Sequence, residues 1–505
     1  MNSKIKEDLS SSPGRKRAAV LMAAGGYVNT GIVIVQGLLL VPLYLHYIGA
    51  HTYGLWLASG GILGMLILMN FGISSMLIQR VSSSYGQQNF EQTGAYFFNG
   101  MVVYLFICLL FGLVSWVVSV WIPAILKITG EQANLLRYCF QVAVIAMVIS
   151  IFNECLRSFS QALLRPVVPM VGMAIGRIIG IAVTIWMLFD DFGLLAIPIG
   201  MLIAEGVIFI VNLFNAISLF KKLSGKIWLD RKIIKEYVQI GPALFMAQSG
   251  NALSQQSEPL LITMFIGPEV TTAYMITRKA ADLVFLMINV LYGTIHSSFS
   301  HLAGEKNNEK IQSIASKLLL LVFISSLIGF ASYVGANQVF VTLWVGEEFV
   351  LGQEVIFFIG ISFFARSLRN MVWQLLKGLG DFTYTSAIIA LEGVGRVGLA
   401  VLLLIWIGVV GVPCALVFFS VLSFVILGLR LKKILLIKID FGIMIRFLLS
   451  IVALFIVSIL IAQSSASYES WGMFVFYATW LLGLLIALFS VINFRMCMVY
   501  VKGRC

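Results

Sequence analysis

Residues 390–406 read ALEGVGRVGLAVLLLIW. This apolar stretch is almost long enough to cross a bilayer as an α-helix, because about 20 such residues span the hydrocarbon core. Glu392 and Arg396 nevertheless lie inside it, four residues apart. A charged side chain at the bilayer centre costs roughly 2.5–3.5 kcal/mol on insertion scales. The sequence therefore predicts a membrane helix with two costly charges, and charges in such positions usually serve a function.

The rest of the chain has the composition of an integral membrane protein. Of its 505 residues, 60% are hydrophobic and 11% are charged, and the mean hydropathy is +1.00. Soluble domains are only about 45–50% apolar. We therefore predict an all-α integral membrane protein with about fourteen transmembrane helices. The predicted spans lie near 18–46, 53–78, 95–122, 133–163, 167–190, 193–219, 238–266, 270–298, 315–343, 351–378, 383–407, 409–429, 443–462 and 471–494.

Other classes of function find little support in the sequence. The six cysteines and four histidines are scattered, so no disulfide framework, metal site or cofactor is expected. The predicted loops are short, which leaves no room for a soluble catalytic domain. We expect a protein that is not an enzyme and whose function lies in the helix bundle.

Basic residues predict the orientation in the membrane. They cluster in KKLSGKIWLDRKIIK (221–235), in RLKKILLIK (430–438) and in the N-terminal tail, whereas the predicted outer loops carry only Lys127 and Arg137. Since cytoplasmic loops are enriched in Lys and Arg, both termini are predicted to be cytoplasmic. The net charge of +12 then reflects topology and contact with anionic lipids, and no nucleic acid partner is expected.

The chain resembles itself at an offset of 218 residues. YIGAHTYGLW (47–56) aligns with FIGPEVTTAY (265–274), and SSSYGQQNFEQ (82–92) aligns with SHLAGEKNNEK (300–310). Six predicted spans separate equivalent points, so the two halves face the same way, as in parallel transporter repeats. We predict two six-helix bundles around a central cavity. The predicted boundaries are a tail (1–17), a first bundle (18–219), a linker (220–237), a second bundle (238–429) and two further helices with a tail (430–505).

Away from the span edges, charged residues inside the predicted spans are more often basic than acidic. The basic residues are Arg157, Arg177, Arg278, Lys279, Arg366, Arg369 and Arg396, and the acidic residues are Glu154, Glu205, Glu258, Asp282 and Glu392. Spacings of three or four residues put both members of a pair on one helix face. The local pairs are Glu154–Arg157, Arg278–Asp282 and Glu392–Arg396. Such pairs either take part in transport or have a structural role, in which the two charges neutralise each other and hold neighbouring helices together.

Three arginines have no acid nearby on their own helix. They are Arg177, which aligns with Arg396, and the pair Arg366 and Arg369. A lone arginine in a membrane usually faces a wet cavity or an anion, and its planar fork suits phosphate. The alternative for Arg177 is a cross-helix pair with Glu205 or Glu258. The basic excess predicts a cationic lumen and an anionic substrate, and the polar seventh span, with Asn251 and Gln256, is expected to line that lumen.

Residues 41–82 resemble the Wzx-type polysaccharide flippases of the MOP exporter superfamily. The resemblance rests on Pro42–Leu45, on Gly49 and Tyr53–Trp56, on Asn70–Gly72 and on Arg80. Asn70 stands where that family usually has an acid. In the second half, the resemblance continues through Tyr274, Arg278 and SFSHLAGEKNNEKI (298–311).

The resemblance implies a flippase of a bacterial inner membrane. It would move an undecaprenyl-pyrophosphate-linked oligosaccharide from the cytoplasmic to the periplasmic leaflet, with possible partners in protons or sodium, membrane lipids, and polysaccharide polymerase and chain-length proteins. The expected substrate-binding ladder across the membrane comprises Arg177, Arg396, Arg278, Lys279, Arg366, Arg369 and Arg80. The expected coupling and cavity residues are Glu392, Asp282, Glu258, Glu154, Gln256 and Asn251.

The sequence also allows other functions. The first is a multidrug or organic cation antiporter of the same superfamily, which would need carboxylates unmatched by arginine. The others are a membrane enzyme acting on lipid-linked sugars and a structural partner in a polysaccharide assembly complex.

Overall fold

The structure is a computed structural model of the chain. It describes residues 15–66, 73–223, 228–304, 308–435 and 470–492, together with 453 and 457. Within these ranges, every regular element is a helix and no strand occurs, as the composition predicts. Asn70 and almost all of the predicted span 443–462 lie outside the described residues.

The helices are numbered here in chain order. They are α1 (Arg15–Tyr47), α2 (Ala50–Leu66), α3 (Ile73–Gly86), α4 (Phe90–Ile125), α5 (Gly130–Ala162), α6 (Val167–Phe189), α7 (Ala196–Lys222), α8 (Arg231–Phe265), α9 (Pro268–Gly304), α10 (Asn308–Val345), α11 (Gln353–Gly378), α12 (Phe382–Ile407), α13 (Gly411–Leu435) and α14 (Trp471–Ile492). The described residues of the predicted second span, 53–78, belong to α2 and α3, and residues 67–72 lie outside the described residues.

Most of these helices have the length and composition of membrane spans. Nine segments of the described chain are long and apolar enough to cross a bilayer, and one of them, Tyr384–Leu435, covers both α12 and α13. The helices α8 and α9 are not among the nine, and both carry charged residues of the site described below. Large apolar side chains such as Phe214, Trp406 and Phe476 are exposed, as expected of a surface that faces lipid tails. The chain is a multi-pass membrane protein.

Glycine ends the first helix of each half at equivalent positions. Gly49 follows α1 with φ of +83°, and Gly267 follows α8 with φ of +144°. A residue with a side chain rarely adopts such values, whereas glycine does so readily. These two glycines are partners at the 218-residue offset, so the repeat extends to the backbone conformation of the turn.

The helices α12 and α13 are separate, as predicted for spans 383–407 and 409–429. Gly408, with φ of +68°, ends α12, and a short 3₁₀ turn over Gly408–Val410 leads into α13. A Cβ atom on Gly411 would lie 2.5 Å from the carbonyl carbon of Leu403. The absence of a side chain at Gly411 therefore allows α13 to start directly against α12.

The chain divides into two compact units, Met1–Ala252 and Leu253–Cys505. In the first, α5 packs on α4 and α7, and α6 packs on α7. In the second, α11 packs on α10 and α13, and α12 packs on α13. The order of packing within each unit is thus the same, as the sequence offset predicts. The helix α14 belongs to the second unit, where it packs on α10 and Tyr477 Oη donates to the carbonyl of Gly335 over 2.7 Å.

Candidate functional site

Charged side chains from four helices of the second unit meet in one cluster. The helices α8, α9, α11 and α12 each contribute at least one of them. We call this the charge cluster, and its members are Glu258, Arg278, Asp282, Arg366, Arg369, Glu392 and Arg396. Burial in a membrane helix bundle is tolerable for such groups because they pair with one another.

Glu258 on α8 is shared by two arginines. Its Oε2 accepts a hydrogen bond from Arg278 on α9, and its Oε1 accepts one from Arg396 on α12. Tyr274 Oη also donates to Oε2 over 3.1 Å. The Glu258 side chain is only 3% exposed. One carboxylate therefore ties three helices together away from solvent.

Asp282 on α9 is the second shared carboxylate and the most exposed member of the charge cluster. Its Oδ2 lies 2.9 Å from Arg278 Nε, and its Oδ1 lies 3.3 Å from Arg366 Nη2. The Arg366 guanidinium also stacks over the Phe285 ring, 3.8 Å from its centroid. The Asp282 side chain is 33% exposed, so the cluster opens to its surroundings at this end.

The third carboxylate, Glu392, pairs with Arg369. The two side chains are each 2% exposed, and Arg369 Nη2 lies 3.2 Å from Glu392 Oε1. Arg396, the partner expected for Glu392 on α12, reaches across to Glu258 on α8. The local pair Arg278–Asp282, by contrast, is present as predicted.

The expectation that Arg366 and Arg369 lack acidic partners is wrong. Acids from α9 and α12 reach them through tertiary contacts that spacing along α11 does not reveal. Arg278 and Arg366 bind the same carboxylate and lie together, and the expected substrate-binding ladder stays a prediction. The charge cluster nonetheless holds four arginines and three carboxylates, so one positive charge is left uncompensated within it.

Lys279 adds a further positive charge beside the charge cluster. It follows Arg278 on α9 and is half-buried. No ion pair is recorded for its ammonium group among the described residues. All of the basic excess inside the predicted spans lies in the second unit, because two arginines and two glutamates balance in the first.

Arg177 in the first unit forms no close ion pair among the described side chains, although the charge of Glu205, its predicted alternative partner, acts on it electrostatically. It lies half-buried on α6, and its Nη1 donates to the carbonyl oxygen of Asn29 on α1 over 3.2 Å. Glu205, the alternative partner within this unit, instead accepts from Asn153 Nδ2 over 2.9 Å. Arg177 therefore presents guanidinium donors that no carboxylate neutralises directly.

The remaining predicted residues lie apart from the charge cluster. Glu154 pairs with Arg157 on α5, and both side chains are 27% exposed. Arg80 on α3 pairs with Glu236 on α8, so its guanidinium is already engaged. Gln256 is exposed on α8, and the side chain of Asn251 lies outside the described residues.

A polar stripe on α11 escaped the sequence reasoning. Asn370, Trp373 and Gln374 follow Arg366 at helical spacing, and Lys377 continues the same face. Spacings of three and four residues mark one side of a helix. The three- and four-residue spacing of these polar residues is visible in the sequence, but a search restricted to charged residues does not detect it.

Comparison with known proteins identifies the fold. Residues 27–186 match the MatE family, and no curated protein matches the chain. An inward-facing multidrug resistance MATE transporter of the MOP superfamily is 14% identical, with a TM-score of 0.66 over 81% of this chain and 98% of that one. The lipid II flippase MurJ in an inward closed conformation is 12% identical, with a TM-score of 0.74 over 95% of this chain and 100% of that one.

A third structure, MATE in complex with MaD3S, is 15% identical and has a TM-score of 0.62 over 84% of this chain and 97% of that one. Identities this low establish the fold alone. The chain has the fold that MATE transporters of the MOP superfamily share with the flippase MurJ.

Proposed function

We propose that this protein is a flippase of a bacterial inner membrane. It moves an undecaprenyl-pyrophosphate-linked oligosaccharide from the cytoplasmic to the periplasmic leaflet by alternating access, coupled to protons or sodium. The observation that carries the proposal is the basic excess of the second unit, where five basic and three acidic residues lie inside the predicted spans, away from the span edges. A pyrophosphate is the part of such a substrate that this excess attracts.

The energetics favour an anionic substrate over a cationic one. Buried charges that remain unbalanced cost free energy unless a counter-ion arrives. A pyrophosphate supplies that counter-ion, and arginine binds its oxygens in a bidentate manner. Arg177 is suited to the same task because it is half-buried and, among the described residues, no carboxylate accepts a hydrogen bond from its guanidinium.

The rival is an antiporter for organic cations, and two observations favour it. The matched family is MatE, and Glu205 is a carboxylate that the neutral amide of Asn153 hydrogen-bonds, while Arg157 and Arg177 act on it only through their charges. A carboxylate of that kind attracts a cation or takes up a proton. The basic excess of the second unit argues against this function as a whole.

Complementation of a flippase-deficient strain tests the proposal, with Arg177→Ala and Arg177→Lys as the variants. Arg177 is preferred to Arg396, whose loss would also break a buried ion pair. Arg231→Ala is the matched control, since Arg231 is exposed at the start of α8. Loss of charge-assisted hydrogen bonds of about 1.5–3 kcal/mol predicts substrate binding about tenfold to a hundredfold weaker for Arg177→Ala.

The expected result is loss of surface polysaccharide for Arg177→Ala at normal membrane levels, with the control unaffected. Partial rescue of surface polysaccharide by Arg177→Lys would show that the positive charge contributes even without the planar guanidinium group. Failure of the wild type to complement, together with resistance to cationic drugs that Glu205→Gln abolishes, would establish the rival instead.

A further inference from the structure

The C-terminal half of α11 carries a row of polar side chains that do not belong to the charge cluster. Asn370, Trp373, Gln374 and Lys377 extend the face of Arg366 towards the end of α11 at Gly378. We call these four residues the α11 stripe. All four are half-buried. From Arg366 to Lys377 the face is about 17 Å long at 1.5 Å per residue, roughly half of a hydrocarbon core about 30 Å thick.

Several polar atoms on this face have no hydrogen-bond partner within the described part of the chain. They are Arg366 Nε, Asn370 Oδ1, Trp373 Nε1 and Gln374 Oε1. Buried polar atoms are nearly always paired in proteins, so a group of four on one helix face calls for an explanation. A ligand that pairs with them during part of the transport cycle provides one.

The types of these atoms restrict the chemistry of the ligand. Arg366 Nε and Trp373 Nε1 only donate hydrogen bonds, whereas the two amide oxygens only accept them. A phosphate cannot satisfy the amide oxygens, because an ionised phosphate oxygen only accepts. An ammonium group cannot satisfy the two donors, and Lys377 would repel it. A hydroxyl group both donates and accepts, so a polyhydroxylated ligand matches the whole row.

The aromatic ring supports the same class of ligand. The Trp373 indole offers an apolar face beside its N–H donor, and the Lys377 ammonium lies 4.5 Å from the ring centroid. A sugar ring has both features, since C–H groups line its faces and hydroxyl groups surround its edge. An aromatic ring flanked by two amides fits a sugar better than it fits a lipid chain.

We propose that the α11 stripe binds the sugar part of the substrate, while the basic groups beyond it bind the pyrophosphate. This inference rests on the proposed function and adds a site for the oligosaccharide. The α11 stripe lies on the half of α11 that the predicted topology places towards the cytoplasm. A sugar entering from that side would meet Lys377 and Trp373 before its carrier reached the charge cluster.

Two lipids tested on purified full-length protein separate the sugar from the pyrophosphate. One is undecaprenyl pyrophosphate, and the other is the pool of undecaprenyl-pyrophosphate-linked oligosaccharides extracted from the cells that naturally make this protein. Each is titrated against the protein in detergent, and affinity is obtained from the ligand-induced rise in Tm. The variants are Trp373→Phe, which removes one donor and keeps a ring, and Gln374→Met, which removes an amide.

Matched controls come from outside the α11 stripe. Gln353→Met changes an exposed amide at the other end of α11, and Trp406→Phe changes an exposed tryptophan on α12. Each stripe variant is expected to bind the oligosaccharide lipid about threefold to tenfold more weakly, the equivalent of one or two hydrogen bonds. Its affinity for undecaprenyl pyrophosphate and the behaviour of both controls should stay at the wild-type level.

The other outcomes are distinguishable. Equal affinity of the wild type for both lipids, or unchanged oligosaccharide binding in both stripe variants, would overturn the sugar site and leave water as the partner of these atoms. Failure of the wild type to bind either lipid would overturn the proposed function itself.

Discussion

Glu258 shows how one side chain can determine the arrangement of several helices. Each of its oxygens holds a different arginine, and Tyr274 adds a third contact. Removing one partner from a buried ion pair is far more damaging than replacing the whole pair, because an uncompensated charge is left behind. Loss of the Glu258 charge removes the carboxylate that binds Arg396 and leaves Arg278 with Asp282 alone, so Glu258 should be the most sensitive member of the charge cluster.

Glu258→Gln is therefore expected to lower the free energy of unfolding by about 3–5 kcal/mol. Thermal or denaturant unfolding in detergent measures the change. Glu154→Gln is the matched control, since its pair with Arg157 is partly exposed and pairs of that kind contribute about 0–1 kcal/mol. Equal losses for the two variants would contradict the bridging role of Glu258.

The partner of Arg396 can be tested directly by double-mutant cycles. The structure pairs Arg396 with Glu258, whereas the four-residue spacing on α12 favours Glu392. We expect the coupling energy of Arg396 with Glu258 to exceed that with Glu392 by at least about 1 kcal/mol, because contacting residues couple by about 0.5–3 kcal/mol. Unfolding of Arg396→Met, Glu258→Gln, Glu392→Gln and the two double variants provides both cycles. A coupling energy with Glu392 larger than that with Glu258 would show that Glu392, four residues away on α12, is the main partner of Arg396.

At the scale of the element, close packing of α6 on α7 depends on three glycines four residues apart. Gly172, Gly176 and Gly180 lie against α7, and a Cβ atom on Gly180 would be 2.8 Å from the carbonyl oxygen of Gly200. Small residues at this spacing let membrane helices approach closely. The contact with α7 also positions the neighbouring side of α6, where Arg177 lies against α1.

Gly180→Ala is expected to destabilise the protein by about 1–3 kcal/mol, since backbone atoms of α7 must move to make room. Gly206→Ala is the control, because a Cβ atom there meets nothing within 4 Å and alanine favours a helix by about 0.5–1 kcal/mol. The Tm of each variant in detergent is the measurement. A neutral Gly180→Ala would mean that α6 and α7 can separate without cost.

At the scale of the whole molecule, the predicted topology places the basic loops in the cytoplasm. Gln88, between α3 and α4, and Glu131, at the start of α5, are exposed and lie at opposite ends of α4. A membrane-impermeant thiol reagent should therefore label Glu131→Cys in intact cells, and Gln88→Cys only after permeabilisation. Native cysteines at 108, 139 and 155 are buried and should contribute little background. The reverse labelling pattern would show that the protein has the opposite orientation in the membrane, and the proposed direction of transport would then be wrong.

Helix content, most spans, the repeat and the basic excess were all predictable from the chain, because each depends on composition or on neighbours along one helix. Gly49 and Gly267, which the 218-residue offset aligns, both end a helix with positive φ. Only the tertiary structure decided the partners of the charged residues. Arg366 and Arg369 pair with acids on α9 and α12, and Arg396 pairs with Glu258 on α8. In a low-dielectric interior, an ion pair forms between opposite charges that helix packing brings close together. The separation of two residues along the sequence does not determine the distance between their side chains in the folded protein.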